Sequence, residues 1–135
     1  MIIFLDTNVL ASALATRGLC ADLFQVVIKW HRLVICREVL DELERILPRS
    51  FRLPSDLTRQ YLAFLDSIAE ISTTTRAPTV PIPDPDDTPI VAAALAADAA
   101  LFVTGDQALL GLGQVDGMPI VPPRTCWETL AKDNA

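Results

Sequence analysis

The chain has one histidine, His31, and three cysteines, Cys20, Cys36 and Cys126, in 135 residues. A single histidine cannot build an imidazole-based metal centre, and it has no serine or cysteine beside it in a recognisable nucleophile motif. The cysteines are odd in number and far apart, and no CxxC pair exists. That argues against a zinc site or a disulfide framework; buried reduced thiols are expected instead. Positive charge is also scarce. Eleven Lys and Arg against 17 Asp and Glu leave a net charge of −6, which opposes a general electrostatic grip on nucleic acid. A site built from carboxylates is itself acidic, however, and divalent cations reverse its sign locally. Arg45, Arg49, Arg52, Arg59 and Arg76 fall in one stretch that either lines one face or decorates solvated helices. No apolar run is long enough to span a bilayer. Met1 leads straight into a strand-like run without a basic leader or cleavage site, so a cytoplasmic location is expected.

What is abundant is apolar surface. Hydrophobic residues make up 51% of the chain and charged residues 21%, a composition that supports a core without staples. The length is that of one domain, taken as residues 1–135. Short apolar runs at 2–5, 33–36 and 100–103 read as strands covered on both faces. Residues 71–74 and 120–121 read as shorter strands. Helical spacing covers 8–15, 20–31 and 38–47, with Pro48 expected to end the last of these. Further helices are expected from Ser55 or Asp56 to about residue 69, from Asp87 or Thr88 to about Asp98, up to Leu110, and over 125–132. Residues 77–89 hold half of the ten prolines and must form a stiff, extended loop. Strands alternating with helices predict an α/β fold with a parallel sheet between helix layers.

In open parallel sheets, sites form at the carboxyl ends of the strands near the switch in strand order. The first strand ends at Asp6 and the fourth at Thr104-Gly105-Asp106, while Asp86-Asp87 starts the helix that leads into the fourth strand. If the first and fourth strands are neighbours, these carboxylates face one crevice. Each aspartate taken singly is as well read as a helix N-cap. Taken together they repel and raise one another's pKa, a problem that a divalent cation removes. Magnesium and manganese prefer oxygen ligands, activate water, and stabilise charge on a phosphodiester, acting in pairs roughly 4 Å apart in two-metal sites. A further acidic group is expected from the helix at 38–47. Its apolar stripe centres between Leu40 and Leu43, which sends Glu38, Asp41 and Arg45 toward water. Glu42 and Glu44 flank the stripe on either side, and periodicity does not choose between them.

Four segments, Phe4–Leu10, Val39–Leu47, Asp84–Leu95 and Phe102–Leu110, occur in an order and spacing that resemble the PIN-domain family. The resemblance runs from residue 2 to about 130. It is nearest to the stand-alone PIN proteins described as toxins of toxin–antitoxin pairs, related to VapC. It implies a three-layer α/β/α sandwich with a central parallel sheet, and a Mg2+- or Mn2+-dependent endoribonuclease that hydrolyses RNA phosphodiesters. Carried over by position, the catalytic and metal-binding residues are Asp6, Glu42, Asp87 and Asp106, with Asn8 and Thr104 supporting them through hydrogen bonds. The implied partners are an RNA substrate, an antitoxin protein and a second copy of the chain, for which helices carrying Leu23, Trp30 and Tyr61 offer a surface if they are not core. One departure stands out. Close relatives often carry an aspartate where this chain has Ala108, so one ion is expected to bind firmly and a second only with substrate.

Two other classes compete. A PIN-fold RNA- or protein-binding module with weak or lost catalysis would not need all four acidic positions, yet all are present. A phospho-accepting aspartate protein would need a nearby lysine, and Lys29 and Lys132 are badly placed for it.

Overall fold

The computed structural model describes residues 1–133. The apolar run Ile2–Leu5 forms strand β1, followed by helices α1 (Thr7–Ala15) and α2 (Leu19–Trp30) and strand β2 (Arg32–Cys36). Helices α3 (Arg37–Ser50) and α4 (Ser55–Ile68) lead to the short strand β3 (Glu70–Ser72). The proline-rich loop then ends in a 3-10 turn, Pro85–Asp87, which runs into α5 (Thr88–Ala96) and β4 (Leu101–Val103). The chain closes with α6 (Gln107–Leu110), strands β5 (Gln114–Val115) and β6 (Met118–Val121), and α7 (Pro123–Asp133).

The strand order is β3-β2-β1-β4-β6-β5. All pairings are parallel except β5 with β6. Strands β2 and β3 extend the sheet to one side of β1, and β4 starts its extension to the other. Strand order therefore reverses between β1 and β4, and the first and fourth strands are neighbours. Right-handed crossovers carry α5 to the layer opposite α1–α4, and the result is an α/β/α sandwich. Leu23, Val27, Val39, Leu43 and Leu47 of the first helical layer are buried on the apolar strands, as are Ile90, Val91 and Leu95 of α5. Phe4 and Phe102 are register partners in β1 and β4, and their rings stack at 5.2 Å with an interplanar angle of 8°.

Three departures from the sequence reading have local causes. Helix α3 runs through Pro48 to Ser50. Proline removes only the bond to the carbonyl of Glu44, an exposed residue whose carbonyl water can serve. Helix α5 stops at Ala96, two residues early. Asp98 adopts a left-handed φ of 55°, and the Ala99 and Asp98 amides donate to the carbonyls of Ala94 and Leu95, a Schellman ending. Between α6 and residue 120, where no strand was expected, the chain forms β5, a turn and the start of β6, a hairpin. Its turn is Asp116-Gly117 with φ of 49° and 87°, the type I′ signature that suits hairpin twist.

The cysteines are unpaired, with Cys36 and Cys126 buried and Cys20 half-buried. Leu23 belongs to the core and offers no surface for a second copy, whereas Trp30 is 66% exposed. No single helix among the described residues is long and apolar enough to cross a membrane.

Replacing Phe102 with Ala removes one ring of the stacked pair from a site with no exposure. Urea denaturation is expected to show a loss of about 3–5 kcal/mol, the usual range for a buried aromatic truncated to alanine.

Candidate functional site

The edge where β1 and β4 end carries the acidic residues. Asp6 follows β1 directly, and its amide donates to the Val103 carbonyl at 2.9 Å, extending the ladder by one step. The residue is 8% exposed. Oδ1 accepts from the Thr7 amide at 2.8 Å, and Oδ2 accepts from the Thr104 hydroxyl at 2.7 Å. Thr104 is fully buried, and its oxygen also accepts from the Asp106 amide at 3.0 Å. One hydroxyl thus joins the ends of the two central strands. Asp106 in turn caps α6, with Oδ1 accepting from the Ala108 amide at 2.8 Å. Asp6 and Asp106 are therefore N-caps, and they also stand side by side.

Asp87 differs. It sits where the 3-10 turn passes into α5, yet its side chain makes no capping bond. The cap of that turn is Asp84, which accepts from the Asp86 amide at 2.9 Å. Asp87 is left with an uncommitted, half-buried carboxylate. Glu42 of α3 is likewise half-buried, while Glu44 is exposed.

The electrostatics tie these residues together. Burial raises the Asp6 pKa most strongly, the bonds from Thr104 and Thr7 oppose it, and the Asp106 charge adds to the rise. Burial, then the charges of Asp6 and Asp87, raise Glu42, with Arg45 opposing. The Thr7 hydroxyl, buried without a standard hydrogen-bond partner, lies close enough to Glu42 to favour its charged form as well. Asp87 is pushed up to about 6 by burial and by the charges of Asp6, Asp84, Asp106 and Asp86. Four carboxylates from four separate segments therefore sense one another. Glu42 and Asp87 also line a groove of about 360 Å³ with Glu38, Asp41, Asp84 and Asp86. Sequence periodicity sent Glu38 and Asp41 to open solvent; they form one wall of this groove, which the loop at 84–87 closes.

A hard, all-oxygen donor set of this kind suits Mg2+ or Mn2+, which take carboxylates and keep several waters. Among the described residues no group of three such side chains is drawn into a ready metal cage. The residues fit a cation by donor chemistry and charge, with water or substrate oxygens supplying the remaining ligands. Of the two supporting residues expected, Thr104 makes its contact. Asn8 is exposed and makes no side-chain hydrogen bond among the described residues. Thr7, next to Asp6 and against Glu42, was overlooked; its place directly after a strand-end aspartate was the available signal.

A family model for the PIN domain matches residues 2–108. The chain belongs to the PIN-domain family. The match takes in all four carboxylates and ends at Ala108. PIN domains are, as a family, nucleases. No curated protein matches the chain. Among solved structures the fold matches a chain of the complex described as VapBC2 from Rickettsia felis bound to a DNA fragment from their promoter. The TM-score is 0.64 at 17% identity, over 90% of this PIN domain and 98% of that chain. At that identity the likeness concerns the fold.

Asp87 holds its proton more tightly in the folded protein than in the unfolded chain. Between about pH 4 and pH 6 the native state thus binds more protons, and this carboxylate's contribution to stability declines as pH rises. The Asp87→Asn protein isolates the effect. Without metal, its Tm advantage over the parent is expected to grow from about pH 4 to pH 7. Partial exposure screens the repulsion, so the gain is about 1 kcal/mol, a few degrees in a domain of this size. Thr104→Val, which keeps the shape and removes the bridging hydroxyl, is expected to cost about 1–3 kcal/mol in denaturant unfolding by leaving buried partners unpaired.

Proposed function

We propose that this PIN domain is a metal-dependent endoribonuclease and the toxin of a type II toxin–antitoxin pair. The observation that carries the reading is the meeting of Asp6, Glu42, Asp87 and Asp106 at the strand-order switch, where neighbouring charges raise the pKa of Asp6, Glu42 and Asp87. Structural carboxylates are normally paired with cations or solvated. Holding several together without a partner destabilises the apoprotein, and functional sites are where such costs are kept. Mg2+ or Mn2+, when bound, supplies activation of water and neutralises charge on the phosphodiester.

The chain's own residues have separable parts in this scheme. Asp6 is the best-ordered ligand, since both its oxygens are held in place and each keeps a free lone pair for a cation. Asp106 presents its Oδ2 from a cap that fixes Oδ1. Glu42 and Asp87 line the groove from α3 and from the loop at 84–87, and would complete the acidic ligand set for a cation. Thr104 orients Asp6 and Asp106 together. Ala108 brings no carboxylate, which favours one firmly held ion per chain. The toxin part of the reading rests on the likeness to the VapBC2 fold, and a small antitoxin protein is the partner it implies.

Purified protein with Mg2+ or Mn2+ is expected to cleave single-stranded RNA, and Asp6→Asn is expected to lose at least about 100-fold in rate, since a metal ligand is removed while the cap is kept. Calorimetry is expected to show one Mn2+ per chain without RNA, with Tm rising as Mn2+ is added. Undiminished cleavage by Asp6→Asn sinks the assignment. Expression without growth arrest separates the nuclease from the toxin part.

A further inference from the structure

The acidic groove beside the four carboxylates contains one side chain of the wrong sign. Arg45 lines it among Glu38, Asp41, Glu42 and the carboxylates of the 84–87 loop. It lies three residues after Glu42 on α3, and positions i and i+3 share a helix face. Its charge is felt at Glu42. Yet it pairs with none of its neighbours: among the described residues the salt bridges engage Arg32, Arg37, Arg59 and Arg76, and Arg45 is in none of them. Nor does it donate a side-chain hydrogen bond there. An arginine surrounded by carboxylates and bonded to none keeps its whole planar fork of donors available. That fork matches phosphate oxygens in pairs. Of the five arginines clustered in sequence, Arg45 alone lines the groove.

We propose that Arg45 is the backbone-phosphate grip of this site, holding an RNA phosphate in the groove while the carboxylate cluster handles its neighbour. This rests on the nuclease reading above. Charge makes the need plain. Six carboxylates face the groove, and a polyanion entering it meets repulsion everywhere except at Arg45 and at any cation the cluster holds. The residue is exposed, so its replacement leaves the core untouched.

The test uses full-length protein with Mn2+ and a fluorescein-labelled single-stranded RNA. Steady-state cleavage by Arg45→Gln is expected to show KM raised about tenfold with kcat within a factor of about three. RNA binding by anisotropy, with Ca2+ in place of Mn2+ to keep the RNA intact, is expected to weaken similarly. Its dependence of log affinity on log salt is expected to flatten by about 0.7, the loss of one phosphate contact on a single strand. Arg45→Lys is expected to restore the salt slope and part of the affinity. Mn2+ affinity measured by calorimetry is expected to be unchanged or tighter in Arg45→Gln, since a positive charge has left. Unchanged KM and slope, with RNA still cut, overturn the grip alone. A kcat loss with weakened Mn2+ binding overturns it in favour of Arg45 merely positioning Glu42. No RNA binding or cutting by any form, the parent included, overturns the nuclease reading together with the grip.

Discussion

The parallel pairing of β1 with β4 brings together two segments 98 residues apart, and the acidic edge exists because of it. Closing so long a loop is entropically costly, though the cost rises only slowly with length. Here it is offset by apolar strands buried on both faces and by the stacked rings of Phe4 and Phe102. The ladder then runs one step past the strand, through the Asp6 amide to Val103. The Thr104 hydroxyl finishes the join, donating to Asp6 and accepting from Asp106. The apolar core thereby decides where two like charges sit, and a single buried hydroxyl decides how they are oriented.

The core holds these charges where they repel. Asp6 is the most buried member, so desolvation dominates there. Asp87 is nearer to solvent, yet it receives the charge of four other aspartates and is pushed up to about 6. The two backbone-anchored aspartates, Asp6 and Asp106, also cap helices. Capping and cation binding are compatible because a carboxylate has two oxygens and about four acceptor sites. A cap fixes the carboxylate's direction in advance, which a cation site needs. Asp87, with no capping bond, and Glu42, on a helix flank, are the adjustable members.

The sheet and the helical layers were legible because they depend on short-range patterns. Strands β1, β2 and β4 appear as unbroken apolar runs, and α3 as a periodic stripe. The β5–β6 hairpin was missed although Asp116-Gly117 is a strong hairpin signal; its strands are too short to show alternation. Asp6 and Asp106 were visible as strand-end aspartates, but that their strands are adjacent is a long-range fact, which no local period reports. Glu42 and Glu44 were equivalent by period. They become different only in the folded chain, where Glu42 lies near Thr7, Asp6 and Asp87 and is half-buried while Glu44 is exposed. The 84–87 loop turns Glu38, Asp41 and Arg45 from a solvated helix face into a groove wall. What the sequence could not convey is thus mostly the position of one proline-rich segment. That segment is tied down at a distance: the Arg76 amide bonds the Ala92 carbonyl at 3.0 Å, and the Thr79 amide bonds Asp116 at 2.9 Å.

An acidic protein proposed to cut a polyanion has to make binding conditional. With a net charge of −6 and a groove lined by carboxylates, the apoprotein repels nucleic acid at the place where it would react. On the proposed reading, a cation at the cluster changes that sign locally, and phosphate oxygens then fill ligand positions that the protein leaves open. On that reading cation and RNA each raise the affinity of the other, and by the same factor, because coupling between two bound ligands is reciprocal. On the same reading, the repulsion among Asp6, Glu42, Asp87 and Asp106 is the source of that coupling. A fully neutralised site, with an ion pair for each carboxylate, would be more comfortable for the fold and would leave no charge deficit for a cation and phosphate to share.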